Sequence, residues 1–66
     1  MVMKKVTLVG TSEESFDDAA LDALDRARDT IENIKWVEVE ELGIEVASTD
    51  EPHFQAEVEI AFGVEE

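Results

Sequence analysis

Ile34-Lys35-Trp36-Val37-Glu38-Val39 alternates as a strand does, and two of its residues are β-branched valines. By parity Val37 and Val39 share one face, and Trp36 and Glu38 share the other. The single tryptophan therefore stands on the face that carries a carboxylate. A large aromatic on the polar side of a strand calls for cover, from another subunit or from a ligand. Further on the alternation changes phase. The apolar positions are odd through Val39, then even at Leu42, Ile44 and Val46. A one-residue slip turns every later side chain to the opposite face, which predicts a β-bulge or sharp bend between Glu40 and Leu42, with Gly43 beside it. The strand is expected from about Ile34 to about Ser48, and a strand bent in this way can leave its own sheet and reach a neighbouring subunit.

Upstream, Phe16, Ala19, Ala20, Ala23, Leu24, Ala27, Ile31 and Ile34 recur at three- and four-residue spacing. They predict an amphipathic helix from about Ser15 to about Asn33, with a stripe that is mostly alanine and so able to lie close against a sheet. Leu21 falls off the stripe. Thr11 with Glu14 has capping-box spacing, and acidic residues suit the positive end of a helix. Asp18 with Asp22 and Asp25 with Asp29 are like-charge pairs at i,i+4, a cost that salt reduces. These helix carboxylates read as a solvated face.

Before the helix, residues 2–10 form a first strand closed by Gly10, with Val6 and Leu8 on one face and Lys5, Thr7 and Val9 on the other. After the second strand, Ser48-Thr49-Asp50-Glu51-Pro52 is a turn. Phe54, Ala56, Val58, Ile60 and Phe62 then alternate without a break, opposite His53, Gln55, Glu57, Glu59 and Ala61. Residues 63–66 read as a tail. The predicted fold class is α+β, in the order β-α-β-β, the last two strands pairing as an antiparallel hairpin with the helix packed on the sheet.

A chain of 66 residues is expected to be one domain, 1–66, and a marginal one, since a core this small rarely supplies more than about 3–5 kcal/mol. No cysteine is present and there is one histidine, so disulfides, thiolate metal sites and histidine-based zinc sites are not expected as staples. Oligomerisation remains. With 18 Asp and Glu against 5 Lys and Arg, the formal charge is −13. That disfavours nucleic acid and anionic membranes as partners. The hydrophobic fraction of 44% and its periodicity argue against disorder. A heavily carboxylated surface held together by salt, as in halophiles, predicts a fold that loosens at low ionic strength. With no apolar run of membrane-spanning length and no secretory signal pattern, the chain reads as soluble and cytoplasmic.

Trp36 and Gln55 are both on the polar side by parity. An indole and a primary amide on one surface can stack on and hydrogen-bond a flat heterocycle, with a buried subunit interface as the other reading. Glu38, Glu40, Glu41 and Glu45 crowd the second strand, but no nucleophile accompanies them, so a solvated or cation-screened edge is favoured over acid–base chemistry. His53, beside a proline turn, reads as a surface residue.

The ordered set Lys4-Lys5-Val6-Thr7-Leu8-Val9-Gly10-Thr11-Ser12, Ser15-Phe16, Ala23-Leu24, Arg26-Ala27, Trp36-Val37-Glu38-Val39, Gly43-Ile44-Glu45 and Phe54-Gln55-Ala56-Glu57-Val58 resembles the dodecins over essentially the whole chain, and the acidic composition is similar to that of the halophilic archaeal members. The resemblance implies a three-stranded antiparallel sheet wrapped around one helix and a hollow homododecamer of cubic-type symmetry. It implies flavin binding without catalysis, with riboflavin, lumichrome or flavin mononucleotide (FMN) as the ligand. Carried over, Trp36 is the stacking platform, paired with a symmetry-related Trp36. Gln55 reads the polar edge of the ring, and Glu45 meets the ribityl hydroxyls. Glu41 lies where family members bear an acidic residue near bound cations such as Mg or Na. Flavin storage and photoprotection is the expected function. A flavoenzyme finds no support, since there is no dinucleotide fingerprint and no cysteine. An acidic structural or cation-binding shell, with Trp36 as an interface anchor, is the alternative.

Overall fold

The computed structural model describes residues 1–47 and 50–64. The chain runs β1 (Val2–Ser12), α1 (Phe16–Thr30), β2 (Ile34–Glu45), β3 (His53–Val64), the expected β-α-β-β order. The strands form one antiparallel sheet in the order β1-β3-β2, so the last strand is central and the other two are edges. That assignment suits the sequence: β3 carries the unbroken alternation, and its Ala56, Val58 and Ile60 are fully buried.

The helix lies on one face of this sheet, chiefly over β1 and β3. Ala19, Ala23 and Ala27 are its buried residues and meet Ala56, Val58 and Ile60, with Val6, Leu8, Ile31, Ile34 and Val37 around them. Alanine permits the close approach, and Gly10 completes it. A Cβ on Gly10 would run into the backbone of Ala19 and Ala23 and stand 3.0 Å from the Ala23 Cβ. Gly10 therefore lies within β1, where the helix comes closest, and does not close the strand. At the start of the helix the Phe16 and Phe54 rings meet edge to face, with centroids 4.9 Å apart.

Several boundaries differ from the sequence reading. β1 continues two residues past Gly10, because Thr11 and Ser12 still pair with Gln55 and Phe54. That removes Thr11 from the capping role. Its N–H donates instead to Asp22 Oδ2 at 3.1 Å, and Ser15 is the N-cap, its hydroxyl accepting from the Asp18 N–H at 3.0 Å. Ser12 Oγ accepts from the Glu14 N–H at 2.9 Å, which sets the turn between strand and helix. The helix stops at Thr30, three residues before Asn33. Asn33 has φ 68°, a left-handed conformation that asparagine tolerates and that reverses the chain into β2. Gly63 and Val64, read as tail, belong to β3.

The predicted bulge is present. The register shifts between Val39, opposite Val58, and Glu41, opposite Glu57, leaving Glu40 as the extra residue. It brings Val39, Leu42 and Ile44 to the helix side of the sheet despite their mixed parity. β2 does not leave its sheet there; it stays paired with β3 as far as Glu45. A second irregularity, which periodicity did not reveal, makes Lys35 an extra residue between Ile34 and Trp36. The proposed turn residues Ser48 and Thr49, and Glu65 and Glu66 of the tail, lie outside the described residues.

Because α1 does not cover β2, Val39, Leu42 and Ile44 are each more than half exposed, as is Leu21. The described residues include no helix long and apolar enough to cross a membrane.

Candidate functional site

The site-bearing surface is the sheet face turned away from the helix. Pairing fixes its rows. Lys5, Ala61 and Trp36 form one, and Thr7, Glu59 and Glu38 the next; then come Val9, Glu57 and Glu41, then Thr11, Gln55 and Gly43, and finally His53 with Glu45. The parity argument that put Trp36, Glu38 and Gln55 on one face agrees with this arrangement.

Ala61 is fully buried although it points away from the core, with Lys5 and Trp36 as its direct cross-strand neighbours. A residue buried on an otherwise open face is covered by its neighbours, and these two flank it directly. Trp36 remains 43% exposed as a residue, but the polar edge of its indole is occupied: Nε1–H donates to Glu38 Oε2 at 2.8 Å. The same oxygen accepts from Lys5 Nζ at 3.0 Å, and Lys5 lies 3.8 Å from Glu59 Oε1. Thr7 Oγ1 donates to Glu59 Oε2 at 3.4 Å.

This arrangement sets the local electrostatics. The Trp36 N–H, and then Lys5, hold the Glu38 carboxyl below the ordinary glutamate range. Glu38 in turn holds the Lys5 ammonium above its usual value. Glu40, on the bulge, is pushed the other way, first by loss of solvent and then by the charge of Glu59. Oxygens of Glu38, Glu40 and Glu59 lie within 4.8 Å of one another, close enough to share a cation. Glu41, the acidic residue expected near cations, is outside that group. It stands opposite Glu57 and lines a shallow pocket of about 120 Å³ with Val9, Leu42, Gly43, Gln55 and Glu57.

Gln55 is thus at the other end of the face from Trp36. Trp36 pairs with Ala61 and Gln55 with Gly43, so six residues of β3, about 20 Å at a strand's rise, separate the two levels. One subunit does not bring them together. Glu45, opposite His53, belongs to the Gln55 end. The pocket there is well below the roughly 300–1,000 Å³ of a complete small-molecule site. What the sequence reading missed was the support for the indole: Lys5, Glu38 and Ala61. Lys5 was on the right face by parity, but only the strand order β1-β3-β2 reveals that it sits across Ala61 from Trp36.

The subunit is thus a small helix-on-sheet unit that displays a braced indole at one end of an open face and an amide at the other. The family model for dodecin matches residues 2–65, and the chain belongs to the dodecin family. It is 42% identical over 65 residues to a dodecin from Thermus thermophilus, covering 98% of this chain and 94% of that protein. A solved Thermus thermophilus structure superposes with a TM-score of 0.88 at 42% identity, over 98% of this chain and 96% of the other. A calcium dodecin from Mycobacterium tuberculosis is 33% identical over 61 residues, covering 92% and 86% of the two chains.

Proposed function

We infer that this protein is a cytoplasmic flavin-binding store, a homododecamer without catalytic activity, that holds riboflavin or lumichrome between Trp36 side chains of symmetry-related subunits. The observation that carries this reading is Trp36 itself. Its only polar group is satisfied within the chain, yet much of the indole remains exposed on an otherwise carboxylated face. Such a ring offers a ligand its π surface and nothing else, which suits a flat, electron-poor heterocycle. The residues present fit a flavin only across subunits. Gln55, supplied by a neighbouring copy, offers a donor and an acceptor for the polar edge of the ring, and Glu45 beside it meets ribityl hydroxyls. The exposed Val39, Leu42 and Ile44 supply apolar surface for the assembly this requires.

A bound flavin supplies a light-absorbing ring whose excited state an adjacent electron-rich indole quenches, so storage and photoprotection coincide. The carboxylate nearest the indole, Glu38, is engaged by the Trp36 N–H and by Lys5, and His53 lies at the far end of the face, which supports binding without turnover. Glu41 is assigned to holding structural cations such as Mg or Na, which would screen the surrounding carboxylates.

A fluorescence titration of riboflavin with the protein in molar salt tests the reading. Strong quenching that saturates at a fixed ratio is expected, and unchanged emission overturns it. The second reading, a cation-binding acidic shell, is favoured by the Glu38, Glu40 and Glu59 grouping and by a relative named calcium dodecin. Trp36→Ala separates the two: loss of flavin affinity with an intact oligomer supports the first, and loss of the oligomer supports Trp36 as an interface anchor.

A further inference from the structure

We propose that Glu38 is a positioning residue for Trp36, holding the indole in its ligand-ready orientation through a bridge that crosses all three strands of one subunit. The inference rests on Trp36 being the flavin platform, but the bridge itself is visible without a ligand. One oxygen, Glu38 Oε2, accepts from Trp36 Nε1 at 2.8 Å and from Lys5 Nζ at 3.0 Å. Lys5 comes from β1, the indole and Glu38 come from β2, and Ala61 of β3 lies buried between them. The bridge therefore links the two edge strands over the central one.

Three physical consequences follow. A tryptophan side chain on an open sheet face has two free dihedral angles, and its rotamers point the ring in different directions. A charge-assisted hydrogen bond at the ring edge selects one of them. Ala61 provides a small seat, so the indole rests on the sheet without being lifted off it. Lys5, tied to Glu38 and close to Glu59, keeps the Glu38 carboxylate from swinging toward solvent. The ring is then organised before ligand arrives, and ordering it adds little to the entropic cost of binding. Because its N–H is already engaged, the indole contributes stacking alone, and selection among heterocycles falls to the Gln55 end of another subunit.

Trp36 is the only tryptophan, so its fluorescence reports this one ring. Time-resolved anisotropy of the ligand-free protein should show an indole that turns only with the whole particle. Glu38→Ala is expected to add a fast local depolarisation and to raise the riboflavin Kd about tenfold, as expected for losing a hydrogen bond to a charged group. Glu38→Gln keeps an acceptor oxygen at the ring edge and should recover both properties, with a Kd within about threefold of the parent. Asp25→Ala, the same charge change on the exposed helix surface, should alter neither. Equal indole motion in the parent and Glu38→Ala overturns the bridge. Faster motion with unchanged affinity, or a Gln variant as impaired as the Ala variant, overturns its role in binding. If the parent binds no riboflavin, the flavin reading fails on its own, and the anisotropy comparison still decides whether Glu38 holds the ring.

Discussion

Trp36 stands opposite Ala61 and Gln55 stands opposite Gly43, so one subunit holds its indole and this amide about 20 Å apart on the same sheet face. A site that uses both must draw them from different copies. Complementation follows. Trp36→Ala and Gln55→Ala homo-oligomers should each bind riboflavin poorly, whereas a co-refolded mixture should regain part of the binding, because some sites then combine an intact Trp36 with an intact Gln55. Fluorescence titration of the mixture against the two separate variants makes the comparison. A mixture no better than its components would mean that the two residues do not serve one shared site.

The close approach of α1 to β1 makes Gly10 a sensitive position. A methyl group there collides with helix backbone at Ala19 and Ala23, which cannot move aside as a flexible side chain would. Gly10→Ala should destabilise the fold by about 1–3 kcal/mol, the usual cost of overpacking. At Gly43 the added Cβ would lie 3.7 Å from Gln55 Oε1, an ordinary contact, and substitution should change stability by less than about 1 kcal/mol. Denaturant midpoints for the two variants should differ accordingly, and equal midpoints would contradict the packing argument.

Much of this was legible in the sequence because period-two and period-3.6 patterns survive in a small domain. The strands and the bulge at Glu40 announce themselves by parity, and the alanine stripe by its three- and four-residue spacing. The bulge at Lys35 did not, because it falls at the first turn of the strand, where too few residues precede it to establish a phase. Thr11 and Glu14 have the spacing of a capping box, yet pairing of Thr11 with Gln55 in the sheet outweighs it, and Ser15 is equally able to cap. The bridge at Trp36 was hidden for a different reason. Parity says which face a residue occupies, not which strand lies beside it, so Lys5 could be joined to Glu38 only once β3 was known to be central.

The opposed shifts of two neighbouring carboxyls give a pH signature. Glu38 has a folded-state pKa below its unfolded value, so its contribution to stability is present above about pH 4.5 and is lost as pH falls through the lower folded value. Glu40 is raised, so its contribution is present below its unfolded value and is lost as pH rises through the folded one. Glu38→Gln should therefore be less stable than the parent at neutral pH and converge with it in acid. Glu40→Gln should be more stable than the parent at neutral pH and lose that advantage in acid. Chemical unfolding from pH 3 to pH 8 reads both, and parallel curves for all three proteins would refute the assignment.

Self-repulsion should make the fold salt-dependent. At a formal charge of −13, shortening the Debye length from about 10 Å at 0.1 M to about 3 Å at 1 M relieves like-charge contacts such as Asp18 with Asp22 and the Glu38, Glu40 and Glu59 group. The Lys5 bridge is weakened by the same screening, but it is one cation among many carboxylates. The melting temperature should rise steadily with added sodium chloride. A fall would mean that ion pairs, not repulsion, dominate this surface.

Ligand charge is the last discriminator. The face that would receive a flavin carries Glu38, Glu40, Glu41, Glu45, Glu57 and Glu59, and its Lys5 is already engaged by Glu38 and Glu59. A phosphate arriving there meets carboxylates and an ammonium that is not free to turn toward it. Lys35, on the first bulge, is a further cation and adjoins Trp36 in the chain. Riboflavin and lumichrome should therefore bind more tightly than FMN, and the gap should narrow as salt screens the repulsion. Lys35→Ala should widen it if that side chain offsets part of the charge. Dissociation constants for riboflavin and FMN at several salt concentrations make the test. Tighter binding of the phosphorylated flavin at every salt concentration would show that bound cations or another subunit's basic groups reverse the sign of the field at the site.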